Sequence, residues 1–297
     1  MTRDRDFKRE VRARMRATGE RYTQARSALH EPSVGTPAVR SGPDAERRPT
    51  VKNELLDKLD RDGFAVVRDV LPPHLVDDLR QWVDRMVQDE LTWRLQEVQR
   101  RRDAGETDVR AFPRGSEGQL GFSFKGGPRR ELLVQALADI ADALGLPLRT
   151  GGGIESTLPG WGGHSGLHQD LDGPAPSIGQ WDGAIFSCPL TSAWDGMRIV
   201  PGSHRRDPVF REAFAGAIAP HADEVHIQAE PGDVMINSIH AWKSGTLNRS
   251  SERRSEIWLA FRRDESVDRK IDAYWAAALI SDGGAPLDPG NFVRRES

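Results

Sequence analysis

The triplet His168-Gln-Asp170 is followed seventy residues later by Gly232-Asp-Val-Met-Ile-Asn-Ser-Ile-His240. Two imidazoles and one carboxylate are the ligands of the facial triad, which binds non-haem Fe(II) and leaves the opposite coordination positions open. Residues i and i+2 of an extended segment point to the same side, so His168 and Asp170 can reach one metal ion while Gln169 faces away. The pattern predicts a redox metal centre with His168, Asp170 and His240 as its ligands.

The residues before His240 predict a strand. Pro231-Gly232-Asp233 is a turn signal, and Val234-Met-Ile236 is a short apolar run. We therefore expect His240 just past the end of that strand. A His-x-Asp triplet is weak evidence when taken alone, because such triplets arise by chance. For any one histidine, a surface or hydrogen-bonded core imidazole is the alternative.

Longer segments around these residues carry more information than the triplet. They are Asp62–Leu79, Leu158–Asp170, Asp195–His204, Gly232–His240, Ser244-Gly245, Asn248-Arg-Ser250 and Arg254. The order of these segments along the chain and the residues within them resemble the phytanoyl-CoA dioxygenase-like branch of the Fe(II)/2-oxoglutarate oxygenases. The resemblance implies a mainly β fold with flanking helices, namely a double-stranded β-helix (jelly roll, cupin-like). It also implies Fe(II), 2-oxoglutarate as co-substrate and O2.

Arg254 is the residue that this resemblance assigns to 2-oxoglutarate. The family's arginine lies on the strand after the distal histidine, beyond an asparagine that matches Asn248. A planar guanidinium has the right shape for a bidentate grip on the C5 carboxylate. Arg253 and Arg249 are the competing candidates, and a solvated basic cluster is the alternative. Strand alternation places Arg253 and Arg254 on opposite faces, so at most one of that pair looks inward. The loop between His240 and Asn248 is longer than is usual in the family.

The resemblance implies an oxidation. Halogenating relatives have a small residue where this chain has Asp170, so the carboxylate favours hydroxylation, with release of succinate and CO2. Desaturation, epimerisation or ring formation with the same cofactors is an alternative, because these outcomes depend on how the substrate is placed. A jelly roll with such a site can also be a non-catalytic metal-binding protein or a metal-free binding protein.

Four side chains near the predicted ligands are candidates to line the substrate site. Trp161, His164 and Trp181 flank the first two ligands, and Trp242 lies two residues beyond His240. Ordinary packing is the alternative for each of them. The 7% aromatic content gives no long apolar stripe that would indicate a fatty-acyl tunnel. A polar or modestly sized substrate is therefore favoured. The resemblance, Asp170 and the arginine-rich composition, which is typical of GC-rich genomes, together favour a small natural-product or metabolic intermediate over a macromolecule.

Charge divides the 297 residues into two parts. Residues 1–50 have a formal net charge of +5, and the remaining residues have a formal net charge of −8. We predict a basic extension and linker over 1–50 and the oxygenase domain over 51–297. The extension lacks a nucleic-acid-binding motif, so no nucleic-acid partner is expected. One cysteine, Cys188, and the lack of a secretory signal or long apolar run favour a cytoplasmic protein without a membrane partner. The oligomeric state is left open.

Periodicity predicts the helices and the first strand. Apolar spacing indicates helices over Asn53–Arg61, Leu75 to Arg102 and Arg129–Leu144, the last ending at Gly145. Phe64–Val70 predicts a strand. Short strands from residue 150 onward, separated by Gly and Pro, are expected to complete the β core.

Overall fold

The computed structural model describes residues 48–113, 117–162, 167–171, 173–192, 194–206, 221–271 and 293. Nearly all of the predicted extension, as well as His164, lies outside these ranges. The helices are α1 (Arg48–Asp62), α2 (Pro73–Asp103) and α3 (Pro128–Ala143), and a 3-10 turn spans Ser203–Arg205. The strands are β1 (Phe64–Val67), β2 (Gln119–Ser123), β3 (Leu148–Thr157), β4 (Gly183–Pro189), β5 (Trp194–Ile199), β6 (Val225–Ala229), β7 (Val234–Ser238), β8 (Lys243–Gly245) and β9 (Arg254–Arg262).

The strands form two antiparallel sheets. The six-stranded sheet has the order β1-β7-β4-β9-β3-β2, and the three-stranded sheet has the order β6-β5-β8. Strand β9 is central in the larger sheet and pairs with β3 on one side and with β4 on the other. Neighbours in the sheets are mostly distant in sequence, as in a jelly roll, and the predicted fold class is confirmed.

Helix α2 is long because its apolar residues recur on one face. Leu75, Leu79, Val83 and Val87 follow one another at four-residue intervals and are all buried. Pro73 occupies the first turn, where the missing N–H has no intrahelical partner to lose. The predicted helix over 75 to 102 is confirmed.

Helix α3 ends with a Schellman motif. Gly145 has a φ of 67°, a left-handed conformation that suits glycine. The N–H of Gly145 donates to the carbonyl of Asp142, and the N–H of Leu146 donates to the carbonyl of Ala141. These bonds satisfy carbonyls that the helix end leaves without partners, and the predicted end at Gly145 is confirmed.

The main hydrophobic core lies between the helices and one face of the six-stranded sheet. On β9 the alternate residues Ile257, Leu259 and Phe261 face this core. A smaller cluster that includes Phe64, Trp194, Met235 and residues of β6 packs between the sheets. The other face of β9 is therefore left to line the interior of the jelly roll.

Cys188 lies on β4 and is fully buried in the main core. Burial raises the pKa of its thiol far above the ordinary value. The thiol therefore behaves as a small packed side chain. None of the helices that the structure describes combines the length and apolar character needed to cross a membrane.

Candidate metal and co-substrate site

Two adjoining cavities open on the inner face of the larger sheet. The larger cavity, of about 500 Å³, is lined among others by Arg254, Thr246 and Trp194. The smaller cavity, of about 230 Å³, is lined among others by Asp170, Lys243 and Trp258. Three side chains line both cavities, namely Glu155, His168 and Glu256. Together the two cavities bring His168, Asp170 and Arg254 to one site.

His168 and Lys243 are direct partners across an antiparallel bridge. The N–H of His168 donates to the carbonyl of Lys243 (2.8 Å), and the N–H of Lys243 donates to the carbonyl of His168 (2.9 Å). Residues that exchange both hydrogen bonds lie opposite each other with their side chains on the same face. Lys243 is therefore the residue that the backbone places beside His168.

Lys243 also forms an ion pair with Asp170. Its Nζ lies 2.5 Å from Oδ2 of Asp170, and both side chains are largely withdrawn from solvent. Burial acts to raise the pKa of Asp170, but the Lys243 ammonium and the nearby His168 outweigh burial and hold that pKa below its ordinary value. Asp170 is therefore a carboxylate already paired with an internal cation.

His240 lies in a turn after β7 and lines neither the larger nor the smaller cavity. Its Nδ1 donates to the carbonyl of Gly173 (2.8 Å), and its Nε2 lies 3.2 Å from Oδ2 of Asp182. The side chain of Gln169 donates to the His240 carbonyl (2.7 Å). Both ring nitrogens of His240 therefore have partners other than His168 and Asp170.

These placements test whether the described residues fit a facial triad. His168 and Asp170 share the smaller cavity, as the triplet predicted, but His240 does not join them. Within the part of the chain that the structure describes, no group of three or more His, Cys, Asp or Glu side chains is arranged to hold a metal ion. The three-residue ligand set is therefore not assembled in this structure, and His240 stays a prediction as a ligand.

Arg254 begins β9 and its guanidinium lies at the wall of the larger cavity. NH1 donates to Thr246 Oγ1 (2.8 Å) and to Asp195 Oδ1 (3.0 Å), and NH2 donates to the Thr246 carbonyl (2.7 Å). The arginine side chain is 9% exposed, whereas that of Asp195 is 40% exposed. The guanidinium is thus held in one orientation beside a carboxylate that can turn toward solvent.

The two competing arginines lie elsewhere. Arg253 forms an ion pair with Asp84 of α2, and its Nε donates to Ser255 Oγ (3.2 Å). Arg249 is exposed. The prediction that Arg253 and Arg254 point to opposite faces is confirmed, and Arg254 is the one that lines the cavity.

Two glutamates that no motif in the sequence indicated face each other in the cavities. Glu155 of β3 and Glu256 of β9 are direct partners in the antiparallel register. Both carboxyl groups are buried away from water, and burial disfavours the charged form. Burial therefore raises the pKa of Glu155 and raises the pKa of Glu256 to about 8. The Glu155 carboxylate further raises the pKa of Glu256, and the Asp170 carboxylate further raises the pKa of Glu155, because like charges disfavour ionisation. Oε2 of Glu256 is buried without a hydrogen-bond partner among the described residues.

We expect Glu256→Gln to make the protein more stable than the wild type at alkaline pH. An acid whose pKa rises on folding, here from 4.5 to about 8, stabilises the fold below pH 4.5, and this contribution is lost as the pH rises toward 8. Glutamine keeps a neutral side chain throughout. One pKa unit corresponds to about 1.4 kcal/mol, so the gain in unfolding free energy at pH 8 should exceed about 1 kcal/mol.

Urea denaturation at several pH values between 4.5 and 8.5 measures this difference. Glu252→Gln is the matched control, because Glu252 is exposed. It should leave the pH dependence of the unfolding free energy as in the wild type. Identical pH profiles for the wild type and Glu256→Gln would show that Glu256 is ionised in the folded state.

The candidate substrate-lining tryptophans have separate locations. Trp181 is fully buried in the main core, with its ring 5.9 Å from that of His204. Trp242 is buried against the ring of His221 and the guanidinium of Arg206. Trp161 is 42% exposed. None of these three lines the larger or the smaller cavity. Among the residues that the structure describes, the tryptophans at the site are Trp194, which lines the larger cavity, and Trp258, which lines the smaller one.

Trp258 owes its position to a glycine on the neighbouring strand. Gly153 of β3 is its register partner, and a Cβ at Gly153 would lie only 2.7 Å from the Trp258 ring. Arg254, Glu256 and Trp258 occupy alternate positions of β9. Because side chains two residues apart on a strand share a face, an inward-facing Arg254 predicts that Glu256 and Trp258 also face inward.

Comparisons with known proteins agree with this fold. AviO1 from Streptomyces viridochromogenes Tue57 is 22% identical with a TM-score of 0.53, and the match covers 72% of this chain and 96% of that chain. The epimerase SnoN, in complex with Fe3+, alpha ketoglutarate and nogalamycin RO, is 18% identical with a TM-score of 0.51, covering 72% and 84%. HygX from Streptomyces hygroscopicus, with nickel, 2-oxoglutarate and hygromycin B bound, is 14% identical with a TM-score of 0.51, covering 71% and 87%.

Sequence comparisons give the family. A search of curated proteins found no significant match. The profile of the family described as phytanoyl-CoA dioxygenase (PhyH) matches residues 59–255, which include Asp170, Lys243 and Arg254. Because this match covers more than half of the chain, the protein belongs to the phytanoyl-CoA dioxygenase family of oxygenase-type enzymes.

Proposed function

We propose that this protein is an Fe(II)/2-oxoglutarate-dependent oxygenase of the cytoplasm that hydroxylates a small metabolite or natural-product intermediate, with release of succinate and CO2. The observation that carries the proposal is the convergence of His168, Asp170 and Arg254 on adjoining cavities in a jelly roll of this family. The oxygenase domain is proposed to be residues 51–297, preceded by the basic extension.

Arg254 is proposed to bind the C5 carboxylate of 2-oxoglutarate. Its guanidinium is already oriented by Thr246, and a bound carboxylate would take the place of Asp195 at NH1. Asp195 can leave at little cost, because its side chain is 40% exposed and returns to water. The protein contributes a pre-oriented fork, so little rotational freedom is lost on binding.

The substrate is proposed to be a small molecule bound near Trp194 and Trp258. A cavity of about 500 Å³ is of the size that takes small ligands. The bound molecules named for SnoN and HygX, nogalamycin RO and hygromycin B, support a natural-product substrate. The epimerase activity named for SnoN keeps epimerisation as an alternative to hydroxylation.

A second candidate function is a non-catalytic binding protein. The ion pair between Lys243 and Asp170 favours it, because the ammonium already neutralises the carboxylate that would bind the metal. In that case the cavity would recognise a small molecule without turnover.

Anaerobic addition of Fe(II) and 2-oxoglutarate, followed by oxygen and a panel of candidate metabolites, tests the proposal. We expect one class of metabolite to stimulate succinate release and to gain one oxygen atom in its mass. Loss of two hydrogens would indicate desaturation or ring closure. An unchanged mass with inverted stereochemistry would indicate epimerisation.

The same panel has two outcomes that contradict the proposal. No succinate with any metabolite would favour the binding-protein candidate. Stimulation only by a nucleic acid or a protein would overturn the small-molecule substrate. The control variant is Arg254→Ala, in which the proposed carboxylate grip is removed and succinate release at low 2-oxoglutarate should disappear.

A further inference from the structure

We propose that residue 243, and not residue 240, occupies the third position around a metal ion bound by His168 and Asp170, and that Lys243 fills this position with its own positive charge. The inference rests on the proposed function only in taking a divalent metal as the ligand. The placement itself comes from the backbone register and from the ion pair of Lys243.

The register fixes which side chains can meet at His168. His168 and Lys243 exchange both backbone hydrogen bonds, so their side chains leave the paired segments on the same face. Asp170 lies two residues along and shares that face. All three side chains line the smaller cavity. A ligand supplied from the segment after β7 would therefore have to be at position 243.

The contacts of His240 hold its ring away from that position. It lies three residues before Lys243, in the turn that follows β7, where the alternation of strand side chains does not apply. Its ring nitrogens contact Gly173 and Asp182, and its carbonyl accepts a hydrogen bond from Gln169. For its ring to reach the cavity, its contacts with Gly173 and Asp182 would have to break.

The Lys243 ammonium supplies the positive charge that a metal ion would otherwise bring to Asp170. Nζ lies 2.5 Å from Asp170 Oδ2, in a site that also contains Glu155 and Glu256. An ammonium has three donors and no acceptor, so it satisfies the carboxylate but offers no lone pair to a metal. A divalent ion would have to displace it and would then find two protein ligands where a facial triad supplies three. We expect weak metal binding by the wild type.

Lys243→His is the decisive variant, because it removes the ammonium and adds an imidazole at the position opposite His168. Loss of an outer-shell partner alone changes metal affinity by about 10–100-fold, so a complete ligand should tighten binding by more than about 100-fold. Co(II), a redox-stable probe, can be titrated by calorimetry while its visible absorption reports coordination. Lys243→Leu is the control, since it removes the ion pair without adding a ligand and should tighten binding much less than Lys243→His.

Histidine deletions separate positions 240 and 243. In the Lys243→His protein, His168→Ala should abolish the gain in Co(II) affinity and His240→Ala should leave it unchanged. In the wild type, His240→Ala should leave Co(II) affinity unchanged. Thermal unfolding shows whether the Lys243→His protein folds. If it does not, the Co(II) affinities of His168→Ala and His240→Ala, each made in the wild type, show which histidine is a ligand.

Two results would overturn the inference. One is equal loss of Co(II) affinity in His168→Ala and His240→Ala, which would make His240 the third ligand. The other is a Lys243→His protein that binds Co(II) no more tightly than Lys243→Leu. Failure of the proposed function looks different: the wild type would release no succinate with any metabolite, while the Lys243→His protein would still gain Co(II) affinity.

Discussion

Arg254→Ala should raise the dissociation constant for 2-oxoglutarate by a factor of about 30 to several thousand. Removing one partner of a buried charged hydrogen-bonded pair costs about 2–5 kcal/mol, and each 1.4 kcal/mol is about tenfold in affinity. Arg254 is 9% exposed and lines the larger cavity, so a bound carboxylate would be largely desolvated there. Calorimetric titration of 2-oxoglutarate in saturating Mn(II) measures the change.

Two further variants sharpen this test. Arg254→Lys keeps the charge but loses the planar fork, so its affinity should fall between those of the wild type and Arg254→Ala. Arg253→Ala is the matched control, because Arg253 pairs with Asp84 on the helix side of the sheet. A larger loss of affinity in Arg253→Ala than in Arg254→Ala would move the co-substrate site to the other face of β9.

Trp181→Ala should lower the free energy of unfolding by about 3–5 kcal/mol. The side chain is fully buried in the main core, and its removal leaves a cavity that its neighbours fill only in part. Denaturation in urea, followed by circular dichroism, measures the loss. The effect should fall on stability, because the indole does not line either cavity.

Trp161→Ala is the control for this prediction. Its side chain is 42% exposed, so we expect a change in unfolding free energy within about 1 kcal/mol. If the Trp181→Ala protein is as stable as the wild type and has altered substrate selectivity, Trp181 lines the substrate site and this prediction is wrong.

Local patterns were sufficient to predict the helices, whereas the fold class came from the family resemblance. The four-residue spacing from Leu75 to Val87 identified α2, and Gly145 marked the end of α3. Alternation on β9 correctly separated Arg253 from Arg254. These features depend only on residues close in sequence, because the periodicities of helices and strands are set by the local backbone.

The partner of His168 could not be predicted in this way. It depends on how many residues the turn after β7 uses before the chain pairs again, and that number sets which of His240 and Lys243 faces His168. A lysine ammonium also has no lone pair for a metal ion, so the residue type at position 243 does not indicate a metal site. The one signal in the sequence was the loop between His240 and Asn248, which is longer than the resemblance predicts.

The facing pair Glu155 and Glu256 was missed for a related reason. Each glutamate reads as an ordinary polar residue of a strand with one solvated face. Only the closure of the two sheets makes that face an interior surface. Strand pairing over a hundred residues apart in sequence then brings the two carboxyls opposite each other.

The two walls of the site are anchored to different extents. Arg254, Glu256 and Trp258 stand on β9, which is hydrogen-bonded along its length to β3 and β4. His168 and Asp170 are held by an isolated bridge to Lys243 and by bonds to Ile239. Amide hydrogen exchange at His168, Asp170 and Lys243 should thus report low-energy local opening, while β9 exchanges only with global unfolding.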